Sequence, residues 1–145
     1  MFKNILVLVD GSDHSLNAAR VASSMADRYS SKLSLLHVIG KSFSKTTMPD
    51  LEEEIAGLRA DGAEIVNNAL MAINKTSEEV DAILSWGNPL DIILEEVKDK
   101  GYDLIVMGSR GLGTLRGLLM GSVSERVSKS VKCPVLIVKD LPEVP

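Results

Sequence analysis

The glycine-rich segment Gly108–Ser122 has the residue types that suit phosphate binding. It holds five of the chain's 11 glycines in fifteen residues, and glycine lets a ligand approach the main chain closely. The apolar run Leu104–Met107 precedes it, and Ser122-x-x-Glu125 has the form of a capping box that begins a helix. The pattern predicts strand, loop and helix, with the free N–H groups of the helix facing the loop. We favour a phosphate site over a long surface loop that binds nothing.

Two more familiar phosphate motifs do not fit the sequence. Gly40-Lys41-Ser42 has the form of a P-loop ending, but Leu35 stands where that motif needs its first glycine. Gly111-x-Gly113 begins like a dinucleotide fingerprint, but Arg116 occupies the position of the third glycine. Both motifs are rejected.

Other polar residues offer weaker signals. Asp10 follows the apolar run Ile5–Val9, where its carboxylate either caps the next helix, accepts hydrogen bonds from ribose hydroxyls or helps to hold Mg²⁺ on phosphates. His14 and His37 have no metal-ligand partner at a useful spacing, so we interpret them as structural or solvated. We favour a core position for Trp86 over one beside a ligand. Arg110 is a candidate phosphate contact.

Strand and helix patterns alternate along the chain. Continuous apolar runs predict strands covered on both faces, and apolar stripes at helical spacing predict the helices between them. The predicted strands are Ile5–Val9, Leu33–Ile39, Val80–Trp86, Leu104–Met107 and Pro134–Val138. The predicted helices follow Ser12 or Asp13, span Asp50–Asn74, run from the Asn88 cap to Gly101, and span Val123–Val131. This order predicts an α/β fold, a three-layer open five-stranded parallel sheet with four helices.

The composition limits the classes of function. At 145 residues, with 45% hydrophobic and 25% charged residues, we expect residues 1–145 to form a single globular domain. The net charge of −4 argues against a nucleic-acid partner, and no apolar run approaches the roughly 18 residues that span a bilayer. The N-terminus leads into a strand without a signal pattern, so we expect a cytoplasmic protein.

The spacing Gly108-x2-Gly111-x9-Gly121-Ser122 resembles the nucleotide-binding signature of the universal stress protein family. Val9-Asp10-Gly11-Ser12 and His37-Val38 resemble further landmarks of that family, and the similarity extends from Met1 to about Lys139. The resemblance implies a Rossmann-like sheet in the strand order 3-2-1-4-5. Strands 1 and 4 are then neighbours at the switch point, where ligands of open α/β sheets bind.

The family resemblance also implies the ligand and its contacts. It implies ATP (or ADP or AMP), with Mg²⁺, and it supplies no catalytic residue and no dedicated protein metal site. The implied nucleotide contacts are Asp10, Gly11, Ser12, Val38, Met107, Gly108, Ser109, Arg110, Gly111, Gly121, Ser122 and Val123.

Three functions follow as hypotheses. The first is an ATP-binding regulatory module of the stress response, which dimerises through the edge strand Pro134–Val138 and acts on a protein partner still to be identified. The second is a slow ATPase or phosphotransferase, disfavoured because the glycine-rich loop has no lysine. The third is a dimeric interaction protein that binds no nucleotide. None of the three involves a membrane or nucleic acid.

Overall fold

The computed structural model of the chain describes residues 1–40, 43–110 and 122–140, in which five strands alternate with four helices. The strands are β1 (Asn4–Leu8), β2 (Lys32–Ile39), β3 (Asp81–Trp86), β4 (Leu104–Gly108) and β5 (Val135–Val138). The helices are α1 (Asp13–Tyr29), α2 (Met48–Ala72), α3 (Pro89–Lys100) and α4 (Ser122–Ser130). Among these residues, no helix is long and apolar enough to cross a lipid bilayer.

All strand pairs in the sheet are parallel, and the order is β3-β2-β1-β4-β5. This confirms the predicted fold and its strand order. Each face of the sheet carries its own apolar cluster, one under α1 and α2 and the other under α3 and α4. Ile5 and Val7 belong to the first cluster, whereas Leu6 between them belongs to the second. Burial on both faces explains why β1 is a continuous apolar run.

The helix starts agree with the capping signals of the sequence. Ser12 is the N-cap of α1 and accepts a hydrogen bond from Ser15 N at 3.2 Å. Asn88 caps α3 through a 3.2 Å bond from Asp91 N to its Oδ1. Gly101 ends α3 with φ 64°, a left-handed conformation that glycine adopts without strain.

Helix α2 begins two residues before the predicted Asp50, because Thr47 is its N-cap and Pro49 is accommodated in the first turn. Its two glycines have different surroundings. A Cβ on Gly62 would lie 2.8 Å from Leu84 Cδ1, so the missing side chain lets α2 approach the sheet closely. A Cβ on Gly57 would meet nothing within 4 Å.

Trp86 is half-buried at the end of the edge strand β3. Its ring centroid lies 5.9 Å from that of Phe43, and the residue belongs to neither apolar cluster. The prediction that Trp86 fills the core is therefore wrong, because the residue is partly exposed at the end of an edge strand.

Candidate functional site

A pocket lies beyond the carboxyl ends of β1, β2 and β4, at the point where the strand order reverses. Seven of the predicted nucleotide contacts line it: Asp10, Val38, Met107, Gly108, Arg110, Ser122 and Val123. The sequence did not single out the other lining residues as contacts: Leu8, Val9, Ser15, Leu36, His37, Pro89, Ile93 and Ser124. Gly11, Ser12 and Ser109 are not among the lining residues, and Gly111 and Gly121 lie outside the described ones.

The turn between β1 and α1 holds the Asp10 carboxylate at the pocket. Asp10 Oδ1 accepts hydrogen bonds from Ser12 N at 2.9 Å and from Ser12 Oγ at 2.5 Å. Ser12, not Asp10, caps α1, so the capping interpretation of Asp10 is wrong. Gly11 has φ 88°, a left-handed conformation that glycine adopts more readily than other residues. Gly11 and Ser12 thus orient Asp10.

Gly108 ends β4 where the first turn of α1 crosses it. A Cβ on Gly108 would lie 2.8 Å from both the carbonyl carbon and the Cβ of His14. The missing side chain therefore lets α1 pack directly on the strand end. On the side of α4, the buried Ser124 Oγ donates a 2.7 Å hydrogen bond to the Gly108 carbonyl. Gly108 is a packing position as well as a lining position.

Ser109 is almost fully buried, with 2% of its surface exposed. Its Oγ lies 2.8 Å from His14 Nδ1, and its N–H donates to Val138 O at 2.9 Å. His14 Nε2 lies 3.0 Å from Asp140 Oδ1. The Ser109 hydroxyl, which the resemblance assigns to the nucleotide, is thus bound to a histidine outside the pocket lining.

His37 lines the pocket between β1 and β2. Its Nδ1 lies 2.8 Å from the Val9 carbonyl oxygen. Because a carbonyl only accepts hydrogen bonds, Nδ1 carries a proton in this contact. The interpretation of His37 as structural or solvated is therefore incomplete: the bond fixes the ring, and the fixed ring forms part of the pocket.

The polar and apolar lining residues come from different elements. Valines and leucines of β1 and β2 and residues of α3 supply an apolar wall, whereas the turns after β1 and β4 and the start of α4 supply polar groups. Among the described lining residues, Asp10 is the one carboxylate and Arg110 the one lysine or arginine. A ligand with an apolar ring and an anionic end suits this arrangement.

Helix α4 begins beside the pocket. Ser122, Val123 and Ser124 are its first residues and all three line the pocket, so its unpaired N–H groups and positive dipole end adjoin the site. The helix starts one residue earlier than predicted, with Ser122 inside it. The Glu125 carboxylate, expected to complete a capping box, accepts from Lys129 Nζ at 2.9 Å.

A sequence model described as the universal stress protein family matches residues 1–139. The chain belongs to this family. It is 39% identical over 139 residues to the universal stress protein in the QAH/OAS sulfhydrylase 3'region of Thermus aquaticus, with 96% of this chain and 100% of that one covered. It is 36% identical over 149 residues to universal stress protein YxiE of Bacillus subtilis, with 96% and 100% covered.

Solved structures of family members share the fold. A universal stress protein in complex with cAMP is 29% identical, covers 95% of this chain and 97% of its own, and superposes with a TM-score of 0.65. An Arabidopsis thaliana member with AMP bound is 25% identical, covers 96% and 92%, and gives a TM-score of 0.66. Adenine nucleotides are thus ligands of at least these two relatives.

Proposed function

We propose that the chain binds an adenine nucleotide in the pocket at the carboxyl ends of β1, β2 and β4, and acts as a nucleotide-dependent regulatory module. One observation carries the proposal. Asp10, Val38 and Gly108 are far apart in the sequence, yet they line one pocket at the switch point. The cAMP and AMP complexes of family members support adenine as the base.

The lining suggests how the nucleotide lies. The adenine packs on the apolar wall near Val38, a lining residue whose backbone we propose as the contact for the edge of the base. The ribose hydroxyls donate to Asp10, and the phosphates lie towards Arg110 and the N-terminus of α4. Gly111 and Gly121 stay predicted phosphate contacts from the family signature.

ATP is the nucleotide we propose, with Mg²⁺ bound to its phosphates. No group of three or more His, Cys, Asp or Glu side chains that could hold a metal occurs within the described residues. Mg²⁺ commonly uses one or two carboxylates together with substrate phosphates, and Asp10, the one carboxylate among the described lining residues, is the candidate for this role as the alternative to its ribose contact. The metal would neutralise phosphate charge that Arg110 alone leaves uncompensated.

Fast phosphoryl transfer is not part of the proposal. Catalysis of that reaction depends on cations that stabilise charge in the transition state, and an arginine finger alone contributes about 10³–10⁵ in rate. The described lining offers one guanidinium, that of Arg110. We expect ATP turnover well below roughly 1 s⁻¹, the low end for kinases.

We further propose that residues 1–145 form one domain and that two copies associate along β5. This strand is the last in the sheet, and three of its four residues are half-buried in the single chain. An edge strand tends to pair with another strand along its outer side. The cytoplasm stays the compartment expected from the sequence.

The first test identifies what the protein carries. The protein is purified without added nucleotide and denatured, and the released small molecules are identified by chromatography and mass spectrometry. We expect an adenine nucleotide, and calorimetric titration with Mg-ATP, ADP, AMP and cAMP then ranks the ligands. An empty protein that binds none of them would favour the interaction-protein hypothesis.

Variants locate the site. Asp10→Asn keeps an acceptor for Ser12 but removes the charge, and should weaken nucleotide binding about ten-fold or more, the size of a hydrogen bond to a charged group. Asp61→Asn, on an exposed position of α2, is the matched control and should leave affinity unchanged. Gly121→Val should abolish binding without unfolding the protein. Unchanged binding in the Asp10 and Gly121 variants would place the site elsewhere.

A further inference from the structure

Two contacts link three side chains that lie beside the pocket and outside its lining: a hydrogen bond between Ser109 and His14, and an ion-pair contact between His14 and Asp140. Ser109 Oγ lies 2.8 Å from His14 Nδ1, and His14 Nε2 lies 3.0 Å from Asp140 Oδ1. The His14 side chain is 14% exposed and that of Asp140 is 82% exposed, while Ser109 is 2% exposed. These three side chains therefore extend from the protein interior to the surface. They connect the end of β4 to α1 and to the segment that follows β5.

When the His14 imidazole is neutral, its two partners determine which ring nitrogen carries the proton. A carboxylate oxygen 3.0 Å from Nε2 is attracted by a proton on that nitrogen and repelled by a lone pair there, so Nε2 carries the imidazole proton. Nδ1 is then the acceptor, and the Ser109 hydroxyl donates to it. Ser109 thus donates to His14, and the Nε2–H of His14 faces the Asp140 carboxylate.

The residue that His14 holds lies between two pocket residues. Gly108 and Arg110 flank Ser109 in the sequence, and both line the pocket, whereas Ser109 does not. Two other hydrogen bonds hold the segment 108–110. Ser109 N donates to Val138 O of β5, and Ser124 Oγ of α4 donates to Gly108 O. His14 supplies the side-chain hydrogen bond that reaches Ser109 from α1.

We propose that His14 is a positioning residue for nucleotide binding. By accepting a hydrogen bond from the Ser109 hydroxyl, it fixes the segment 108–110, which presents Gly108 and Arg110 to the phosphates. The assignment rests on the proposed nucleotide site. Without an acceptor at Nδ1, the buried Ser109 hydroxyl is left unsatisfied, and this cost favours conformations in which residues 108–110 move so that the hydroxyl finds another partner. His14 touches no nucleotide in this role and acts only through Ser109.

Two variants of His14 separate its two bonds. In His14→Asn the amide oxygen stands near the place of Nδ1 and can still accept from Ser109, but the side chain no longer reaches Asp140. In His14→Gln the amide nitrogen stands near the place of Nε2 and can donate to Asp140, but Ser109 loses its acceptor. Calorimetric titration with Mg-ATP gives the affinity of each variant. Thermal unfolding without ligand is measured beside it.

We expect His14→Gln to weaken binding about five-fold, the equivalent of one hydrogen bond, and His14→Asn to stay within about two-fold of the parent protein. Equal affinities in both variants would overturn the proposal, whether both match the parent protein or both are weakened alike. A fall in melting temperature without any change in affinity would show a purely structural role.

An NMR measurement keeps the inference separable from the proposed function. Long-range nitrogen–proton spectra should show the Nε2–H tautomer of His14, and an Nδ1–H tautomer would overturn the argument. In the ligand-free protein, the amide resonances of Gly108 and Arg110 should move further in His14→Gln than in His14→Asn, because both variants lose the imidazole ring but only His14→Gln also loses the acceptor for Ser109. If the parent protein binds no nucleotide, the proposed function fails, and these amide shifts still decide whether His14 positions the segment 108–110.

Discussion

Replacing Gly108 with alanine should destabilise the protein, because the new methyl group has no space. Its Cβ would lie 2.8 Å from the carbonyl carbon and Cβ of His14 and 3.0 Å from the His14 carbonyl oxygen. Carbon atoms pack best at about 3.5–4.0 Å, so α1 and β4 must separate by about 0.7 Å or more. Overpacking of this kind costs about 1–3 kcal/mol. The lower entropy of the unfolded alanine chain offsets about 0.4–1 kcal/mol of this cost, which leaves a net loss of about 1.3 kcal/mol at the middle of the two ranges and at most about 2.6 kcal/mol.

Two other glycines provide matched controls for the same substitution. Gly57→Ala meets nothing within 4 Å in helix α2, so it should stabilise the protein by about 0.5–1 kcal/mol. Gly62→Ala meets the ends of the Leu84 and Ile39 side chains at 2.8 and 3.0 Å. Those ends can move, so its effect should lie between the other two.

Urea unfolding at 25 °C gives the order of stability directly. With an m-value of about 1–3 kcal/mol/M, the midpoint of Gly108→Ala should fall by about 0.5–1 M relative to the parent protein, while that of Gly57→Ala should rise. The result that refutes the reasoning is a Gly108→Ala protein as stable as the Gly57→Ala protein. Such a result would mean that α1 does not pack on the end of β4 as the structure has it.

Three further predictions concern the pocket and the thiol. Ser124→Ala removes the buried 2.7 Å bond to the Gly108 carbonyl and should lower the free energy of unfolding by about 1–3 kcal/mol. Ser128→Ala removes an exposed bond from a half-buried serine to its own helix and should change that free energy by less than about 0.5 kcal/mol. Urea titration compares the two variants. Arg110→Gln should weaken Mg-ATP binding and flatten its dependence on salt in calorimetry, and an unchanged salt dependence would remove Arg110 from the phosphate site. Burial raises the pKa of the Cys133 thiol, so less thiolate is present near neutral pH. The pH profile of thiol alkylation should therefore have a higher midpoint in the native protein than in urea. Coincident midpoints would contradict this prediction.

The strong local signals of the sequence were sufficient for the order of the elements. Continuous apolar runs indicated strands covered on both faces, and Ser12, Asn88 and Gly101 marked helix ends where the structure has them. The sheet order came from the resemblance, since periodicity describes each strand alone. Trp86 was misplaced for a related reason: its strand is at the edge of the sheet, and no pattern within a strand tells an edge from the centre.

The site was predictable in position more than in composition. Asp10, Val38 and Gly108 follow from motifs at strand ends, and those ends meet because the strands are parallel. Leu36 and Ile93 line the same pocket, but their sequence signal is that of ordinary buried residues. Such residues can be assigned to a pocket only after the packing of β2 and α3 is known.

Gly108 and Ser109 show why a signature motif does not give the task of each residue in it. The motif requires the glycine at position 108, the family resemblance implies a contact from Ser109, and a phosphate ligand would account for both. The structure supplies a second account, in which the glycine admits the first turn of α1 and the serine donates to His14. Both accounts predict the same sequence, but they differ in which substitutions are tolerated. The substitution Ser109→Ala leaves space for a ligand and removes only the side-chain hydrogen bond to His14. Its effect on nucleotide affinity should therefore match that of His14→Gln. If it instead weakened binding far more than His14→Gln does, the serine would have to touch the nucleotide itself.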